Sequence, residues 1–566
     1  MNVKTTNKSA RGLRRVFILI IISLYFGPAG AQSWTKKAAK SVFTLKTFGA
    51  DGTLIGSSGG FFVGEQGEAV SSFTPFKGAS SAIVIDAQGK EMPVACMLGA
   101  NDTYDVAKFR VTAKKTIPLT IAPQQAAEGA RVWLLPFREN TTLPQGTVRS
   151  AETFREYYAY YTVAMKMPEG TTSCPLMNEA GEVIGLMQQP YKQNDTLSYA
   201  VSALFADSLA INGLSINDPT LRSTMIKKDL PATPDQAALT LYLAQSSLDS
   251  TAYVQLLEDF ITKFPGAPDG YTYRAQIEAS NKMFDAASRD MEQAIKVADK
   301  KDEAHYNYSK LIYQKEIYMS QVPYEGWSLD KALEEAQAAE KLNPLAIYRQ
   351  HQAIILYAQK KFTEADNIYQ TLYNTEMRSA GLFFEGSRCK AMLNDTTAQI
   401  ALLDSCMSMF SKPYLKEAAP YLMSRAQTLM DAKRYRDATN DLNDYEKLMQ
   451  ATVNANFYYL RFQAEMGGRL FQQALNDINR AIEMEPQYDL YHAEKASLQV
   501  RVGLYDEAIE TANECIRVAP DHSDGYLFLG IAQCLKGEKT EGVKNLRKAK
   551  ELGDSQADSL IEKYSK

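Results

Sequence analysis

The sequence predicts a chain of two unlike parts, an N-terminal all-β region followed by an all-α repeat solenoid. Three observations carry this. From Ser41 to about Leu204, short runs rich in β-branched and aromatic residues are separated by turn signals such as Asp51-Gly52 and Gln88-Gly89, the pattern of an antiparallel barrel or sandwich. Beyond Asp235 the period of two gives way to a period of 3.6. Within that second part, small residues recur at nearly constant spacing.

At 566 residues the chain is too long for one core and predicts several domains. A hydrophobic fraction of 45% and a charged fraction of 23% are ordinary globular values, so no large part need be disordered. The formal charge of -4 gives no basic field, which excludes nucleic acid as the partner of the chain as a whole.

Residues 1–31 read as a targeting segment. Lys4, Lys8, Arg11, Arg14 and Arg15 precede an apolar run from Val16 to Phe26, and Ala29-Gly30-Ala31 supplies a small-x-small cleavage site. The run is shorter than the roughly 20 residues of a membrane span. The expectation is a cleaved signal peptide and an exported mature protein, periplasmic or envelope-associated, soluble and not membrane-spanning.

The six cysteines, Cys96, Cys174, Cys389, Cys406, Cys515 and Cys534, show no CxxC spacing and no neighbouring His. They read as small buried side chains rather than metal ligands, and whether any of them pair is left open. No metal or other cofactor is expected.

In the β region, the segment Gly59-Gly60-Phe61-Phe62-Val63 is followed by Gly67 through Ala79 and by Val84-Ile85. The strand Arg131 to Pro136 and the aromatic run Tyr157 to Tyr161 continue the pattern. The stretch Gly170 to Leu186 then reads GTTSCPLMNEAGEVIGL. It resembles the nucleophile loop of trypsin-like proteases, most closely their bacterial HtrA-type relatives, whose pattern is G-N-S-G-G-P-L-x-N-x-x-G-x-V-I-G. Pro175, Leu176, Asn178, Gly181, Val183, Ile184 and Gly185 match as they stand.

Further landmarks come in that family's order. Gly59 through Val63 resembles its G-S-G-F-F-V strand, and Gly78-Ala79 fix a register that puts Thr74 on the catalytic histidine. Asp105-Val106-Ala107 resembles the segment of the catalytic aspartate, Gly146-Thr147-Val148 a strand before the loop, and Ser198 to Val201 one after it. The resemblance implies a trypsin-like double β-barrel over 32–211.

The same alignment puts Thr172 at the nucleophile and Ser173 and Cys174 in place of the two glycines after it. A hydroxyl nucleophile needs a base within hydrogen-bond reach and an acid that orients that base. The four histidines, His305, His351, His492 and His522, all lie in the second half. The degenerate triad positions Thr74, Asp105 and Thr172 are therefore expected to give no catalytic site: a pseudoprotease, with Asp105 bonding backbone and Gly170 serving turn geometry. The alternative is an active periplasmic serine peptidase using an unconventional group, such as Ser173 with Lys108 or Lys166 as base.

Asn212 to Pro234, with Asn217-Asp218-Pro219, Pro231 and Pro234, reads as a linker. Beyond it Ala275, Ser309, Ala353, Gly386, Ala426, Phe462, Ala496 and Gly530 are spaced by 34, 44, 33, 40, 36, 34 and 34 residues. A second small residue follows six of them twelve positions later: Ala287, Ala365, Ala398, Ala438, Ala474 and Ala508. Small residues let two antiparallel helices approach closely, while Phe284, Phe362, Tyr435, Phe471 and Tyr505 fill the space between pairs.

This pattern resembles the tetratricopeptide repeat (TPR), whose period is about 34. It predicts an atypical helical pair over 235–267, a TPR array of about eight repeats over 268–554 and a C-terminal cap helix over 555–566. The family's groove positions, carried over, are Tyr306, Lys310, Tyr313, Gln350, Ile354, Tyr357, Phe383, Lys390, Met423, Gln427, Met430, Tyr459, Gln463 and Met466. Aromatic, Met and Gln side chains suit a segment of another protein. The Lys/Asn pattern that grips a terminal carboxylate is missing from the first repeats, where Thr272 and Gln276 stand. The expected function is thus a non-catalytic envelope scaffold, its partners other envelope proteins or peptide segments.

Overall fold

The computed structural model describes residues 34–137, 143–154, 158–189 and 196–565. The targeting segment, residues 1–31, and Tyr157 of the aromatic run lie outside them. The chain divides into two compact units, Met1–Ala298 and Asp299–Lys566.

The first unit contains two closed six-stranded antiparallel barrels. One is built from β1 (Val42–Phe48), β2 (Leu54–Phe62), β3 (Glu68–Ser71), β4 (Ser81–Asp86), β5 (Glu91–Asn101) and β6 (Val106–Val111), in the order β1-β2-β3-β6-β5-β4. The other uses β7 (Arg131–Leu134), β8 (Gln145–Phe154), β9 (Tyr158–Ala164), β10 (Pro175–Met177), β11 (Val183–Met187) and β12 (Leu197–Ser202), in the order β10-β11-β12-β9-β8-β7. Each strand pairs as its counterpart does in the other barrel, so the two share one topology. Closure leaves neither sheet with an unpaired edge.

The period-two pattern explains the cores. In β1, Phe43 and Leu45 point inward with Phe62, Phe73, Phe76 and Phe109 to fill the first barrel; Val132, Leu134, Val148, Tyr161, Val163 and Leu176 fill the second. A third cluster, including Val42, Phe61, Val106, Trp133, Met177 and Phe205, joins the two barrels. Each fully buried Phe contributes about 1.5–3 kcal/mol, enough to fix strand register. Gly60 in β2 is required by space, because a Cβ there would lie 2.3 Å from the Phe43 ring.

The segment expected to be a linker runs along the first barrel. Its one-turn helix Pro219–Arg222 is capped by Asp218, which accepts from the Thr220 N–H at 2.8 Å. Leu221 and Ile226 enter the first barrel's core. The Met97 N–H donates to Lys227 at 2.7 Å and the Asp229 N–H to Met97 at 2.9 Å. Proline and polar composition signalled irregular backbone but not this strap, whose buried anchors in that barrel are Leu221 and Ile226. The unit ends in four helices, α1 (Pro234–Ala244), α2 (Ser250–Lys263), α3 (Pro268–Ser280) and α4 (Phe284–Val297).

The second unit is all helix: α5 (Lys301–Tyr318), α6 (Leu329–Leu342), α7 (Ala346–Ala358), α8 (Phe362–Leu372), α9 (Ala380–Met392), α10 (Thr396–Met407), α11 (Ala419–Asp431), α12 (Tyr435–Met449), α13 (Ala455–Gly467), α14 (Phe471–Met484), α15 (Asp489–Val502), α16 (Tyr505–Val518), α17 (Ser523–Lys536), α18 (Lys539–Glu551) and α19 (Ala557–Tyr564). The small residues sit where helices meet. Ala353, Ala426, Ala438, Ala474, Ala496 and Ala508 are fully buried. A Cβ on Gly530 would lie 2.8 Å from the Gly542 carbonyl, and Ser309 donates its hydroxyl to the Ala332 carbonyl at 2.6 Å. Among the described residues no helix is long and apolar enough to cross a membrane.

Candidate functional site

The loop Gly170–Cys174, just before β10, faces the first barrel. Its Thr172 carbonyl accepts from the Gly59 N–H of β2 at 3.1 Å. Gly59 is required there, because a Cβ would lie 2.9 Å from that carbonyl and 3.1 Å from the Cys174 Sγ. Beside this contact opens a cleft of about 960 Å³. Thr74, Asp105, Gly170 and Thr172 all line it, so the fold brings the three degenerate triad positions together with Gly170. Half of the remaining lining residues carry a hydroxyl or amide, including Ser57, Ser58, Ser72, Thr171 and Gln189, and the charged groups among the described residues there are Asp105 and Glu169.

The Asp105 carboxylate accepts from the backbone N–H of Thr74 at 2.6 Å. Thr74 begins a 3-10 turn, Thr74–Phe76, so the carboxylate satisfies a helix-start donor there. The Thr172 hydroxyl donates to the side-chain carbonyl of Gln189 at 2.7 Å. Every histidine of the chain belongs to the second unit.

Other nucleophile and base candidates are engaged elsewhere. Ser173 is fully buried, and its hydroxyl lies 2.5 Å from that of Ser72 and accepts from the Ser72 N–H at 3.2 Å. Lys108 donates to the Ala206 carbonyl at 2.5 Å, and burial holds its pKa below the usual lysine range. Lys166 is exposed and is not among the residues lining the cleft. Cys174 is buried, and burial pushes its thiol up to about 12, so it carries no thiolate near neutral pH. All six cysteines are free and buried. Sequence reasoning had not marked Ser72 or Gln189: their partners lie 101 and 17 residues away, and no local pattern signals either bond.

In the second unit the fourteen groove positions fall on α5, α7, α9, α11 and α13. Tyr306, Lys310, Tyr313, Gln350, Ile354 and Tyr357 are half-buried; Met423, Met430, Tyr459 and Met466 pack on a hydrophobic core with part of their surface open. Gln427 and Gln463 are exposed. Phe383 departs from the expected surface role: it is buried, its ring stacked on Tyr373 at 5.0 Å. Lys390 is tied to the buried Asp366 at 2.6 Å. Helical spacing does not signal the depth of Phe383, which is covered by Tyr373 at the end of the preceding helix. His351 and Arg388, which spacing did not single out, touch these residues: His351 lies against Tyr306 and Tyr313, and Arg388 over Tyr357.

Residues 57–186 match the family model described as trypsin-like peptidase domain. Two curated relatives match part of the chain. The small glutamine-rich tetratricopeptide repeat-containing protein 2 of Saccharomyces cerevisiae is 23% identical over 145 residues, 25% of this chain and 42% of that protein. The heat shock protein STI1 of the same yeast is 28% identical over 106 residues, 18% of each. The chain thus spans less than half the length of these relatives. Among solved structures, the active form of the Rv3671c protease from M. tuberculosis aligns with 32% of this chain and 85% of its own, at 17% identity and a TM-score of 0.28. The first unit therefore carries a trypsin-like peptidase domain built as two closed barrels, and the helical part of the chain fits a tetratricopeptide-repeat array.

Proposed function

We propose that the protein is a non-catalytic scaffold of the cell envelope, which holds protein partners through its helical repeats and through the cleft of a degenerate protease domain. The observation that supports this most is that every histidine lies in the second unit and a threonine, Thr74, stands at the position of the base. In a proton-relay hydrolase the acid orients a base; here the Asp105 carboxylate receives the backbone N–H of Thr74 instead. The hydroxyl at the nucleophile position donates to an amide carbonyl, which is too weak a base to activate it. The trypsin-like frame with TPR-like repeats supports a protein-interaction role for the whole chain.

Export belongs to the same reading. Protein recovered from the cell envelope is expected to begin at Gln32, as read by N-terminal sequencing; a chain still beginning at Met1 in the cytoplasm would count against it. Purified mature protein incubated with unfolded proteins and peptide libraries is expected to release no fragments, and Thr172→Ala is expected to change nothing. Hydrolysis that disappears with Thr172→Ala would overturn the scaffold reading in favour of an active peptidase.

A further inference from the structure

Three successive alternate helices of the second unit, α5, α7 and α9, meet in one continuous strip of rings and cations. The His351 ring of α7 lies against Tyr306 and Tyr313 of α5, with centroids 5.4 and 5.7 Å away and both contacts edge-on. Lys310 places its ammonium 4.6 Å over the Tyr306 ring. One helix further on, the Arg388 guanidinium stacks 4.7 Å over Tyr357 and donates to its hydroxyl at 3.4 Å.

Neither cation makes an ion pair with any described residue. Elsewhere in the unit Lys390, Arg425 and Arg461 each hold a carboxylate within 3.0 Å. Lys310 is half-buried, and burial alone holds its pKa below the usual range. His351 supplies no second charge, because burial and then Lys310 push it down to about 4; it forms an uncharged floor whose Nε2 has no hydrogen-bond partner among the described residues. Glu385, on the same helix as Arg388, already accepts from the Tyr369 hydroxyl at 3.0 Å and the Gln350 amide at 3.4 Å. Lys310, partly desolvated, and Arg388, exposed, each sit on an aromatic face with no counter-ion and are held ready for an incoming anion: the ring fixes the cation's position before binding, and at Lys310 a carboxylate compensates the lost hydration.

We propose that this strip docks an extended segment of a partner protein that carries internal Asp or Glu side chains beside apolar ones. Lys310 and Arg388 each take a carboxylate, while Tyr306, Tyr313 and Tyr357 cover the flanking side chains. This rests on the scaffold reading and narrows it to one partner chemistry. Glu385 within the strip, and the formal charge of -4 on the chain, oppose a polyanion such as nucleic acid.

The test presents a random-peptide display library to the full mature chain. Enriched peptides are then made with amidated C-termini, alongside counterparts with Asn and Gln for Asp and Glu, and titrated by fluorescence anisotropy. Enriched sequences are expected to carry an acidic residue next to an aromatic or aliphatic one, and the amide counterparts to bind at least about tenfold more weakly. The double variant Lys310→Glu, Arg388→Glu is expected to lose binding, and Lys310→Arg to keep it. Should the charge reversal unfold the helices, as read by thermal melting, Lys310→Gln with Arg388→Gln takes its place. Peptides enriched without acidic residues, binding unchanged in the double variant, or binding that requires a free terminal carboxylate would overturn this proposal and leave the scaffold reading standing. A library that yields no binder at all would overturn both.

Discussion

Ser173 occupies a left-handed backbone position, with φ of 64°, where the protease family keeps glycine. Such a conformation costs a non-glycine residue about 1–2 kcal/mol. Its hydroxyl offsets that cost by bonding Ser72 across the two barrels. Ser72→Ala is expected to lower stability by about 1 kcal/mol, read as a shift in the denaturant midpoint, since the Ser72 N–H bond survives and only the hydroxyl is lost. An unchanged midpoint would show that the pair does not hold the loop. In the second unit, Glu465 is buried, and burial with the nearby Asp477 pushes its carboxyl up to about 8. The folded state therefore binds a proton that the unfolded chain has lost above about pH 4.3. Its contribution is fully present below that pH and is lost as the pH rises through 8. Glu465→Gln is expected to flatten the decline in stability between these limits, measured by denaturation across the range; a variant declining as steeply as the parent would refute the assignment. Thr74, Asp105 and Thr172 were legible in the sequence because the run Pro175 to Gly185 fixes the register around them. Their hydrogen-bond partners were not, because those bonds depend on how two barrels close.

At the scale of the element, the turn within most helical repeats uses one residue of positive φ: Lys282, Lys360, Asn394, Lys433 and Arg469, then Gly503 and Gly537. The last two are the glycines a helix end favours; the others bear the left-handed strain. Lys433→Gly is expected to stabilise by about 0.5–1 kcal/mol, the strain relieved less the extra chain entropy of glycine. A fall in Tm would show that the Lys433 side chain does more than turn the chain. A second recurring device is an arginine that clamps two aspartate oxygens sixteen residues on, together with an acid from the preceding helix pair. Arg274 holds Asp290 at 2.6 and 2.8 Å with Glu258; Arg425 holds Asp441 at 2.7 and 2.6 Å with Asp404; Arg461 holds Asp477 at 2.6 and 2.9 Å with Glu446. Arg461→Ala leaves Asp477 buried and unpaired, which costs about 3–5 kcal/mol; a loss under about 1 kcal/mol by chemical denaturation would mean that water reaches the carboxylate. Small residues at a spacing of about 34 made the repeats readable. The clamps were missed because Arg and Asp read as a solvated face until the third helix is placed.

Across the whole molecule, each of the two units has its own cores: those of the barrels in the first, and in the second a series passed from one helix pair to the next. A repeat array is stabilised chiefly between neighbours, so damage at one end should fade along it. The end described here is α19, whose Ala557 is buried and whose Leu560, Ile561 and Tyr564 pack on Leu527, Val543, Leu546 and Ala549 of α17 and α18. Replacing Leu560 and Ile561 together by Asp would place two carboxylates against that apolar face, where desolvation without a partner is costlier than detaching a single short helix. The helix should therefore undock, uncovering Leu546. Hydrogen exchange is expected to accelerate most in α18 and α17, less in α16 and α15, and not measurably in α11 and α12. Equal acceleration from α11 to α18 would show that the second unit unfolds as one cooperative block, and the additive picture of the array would then have to be given up.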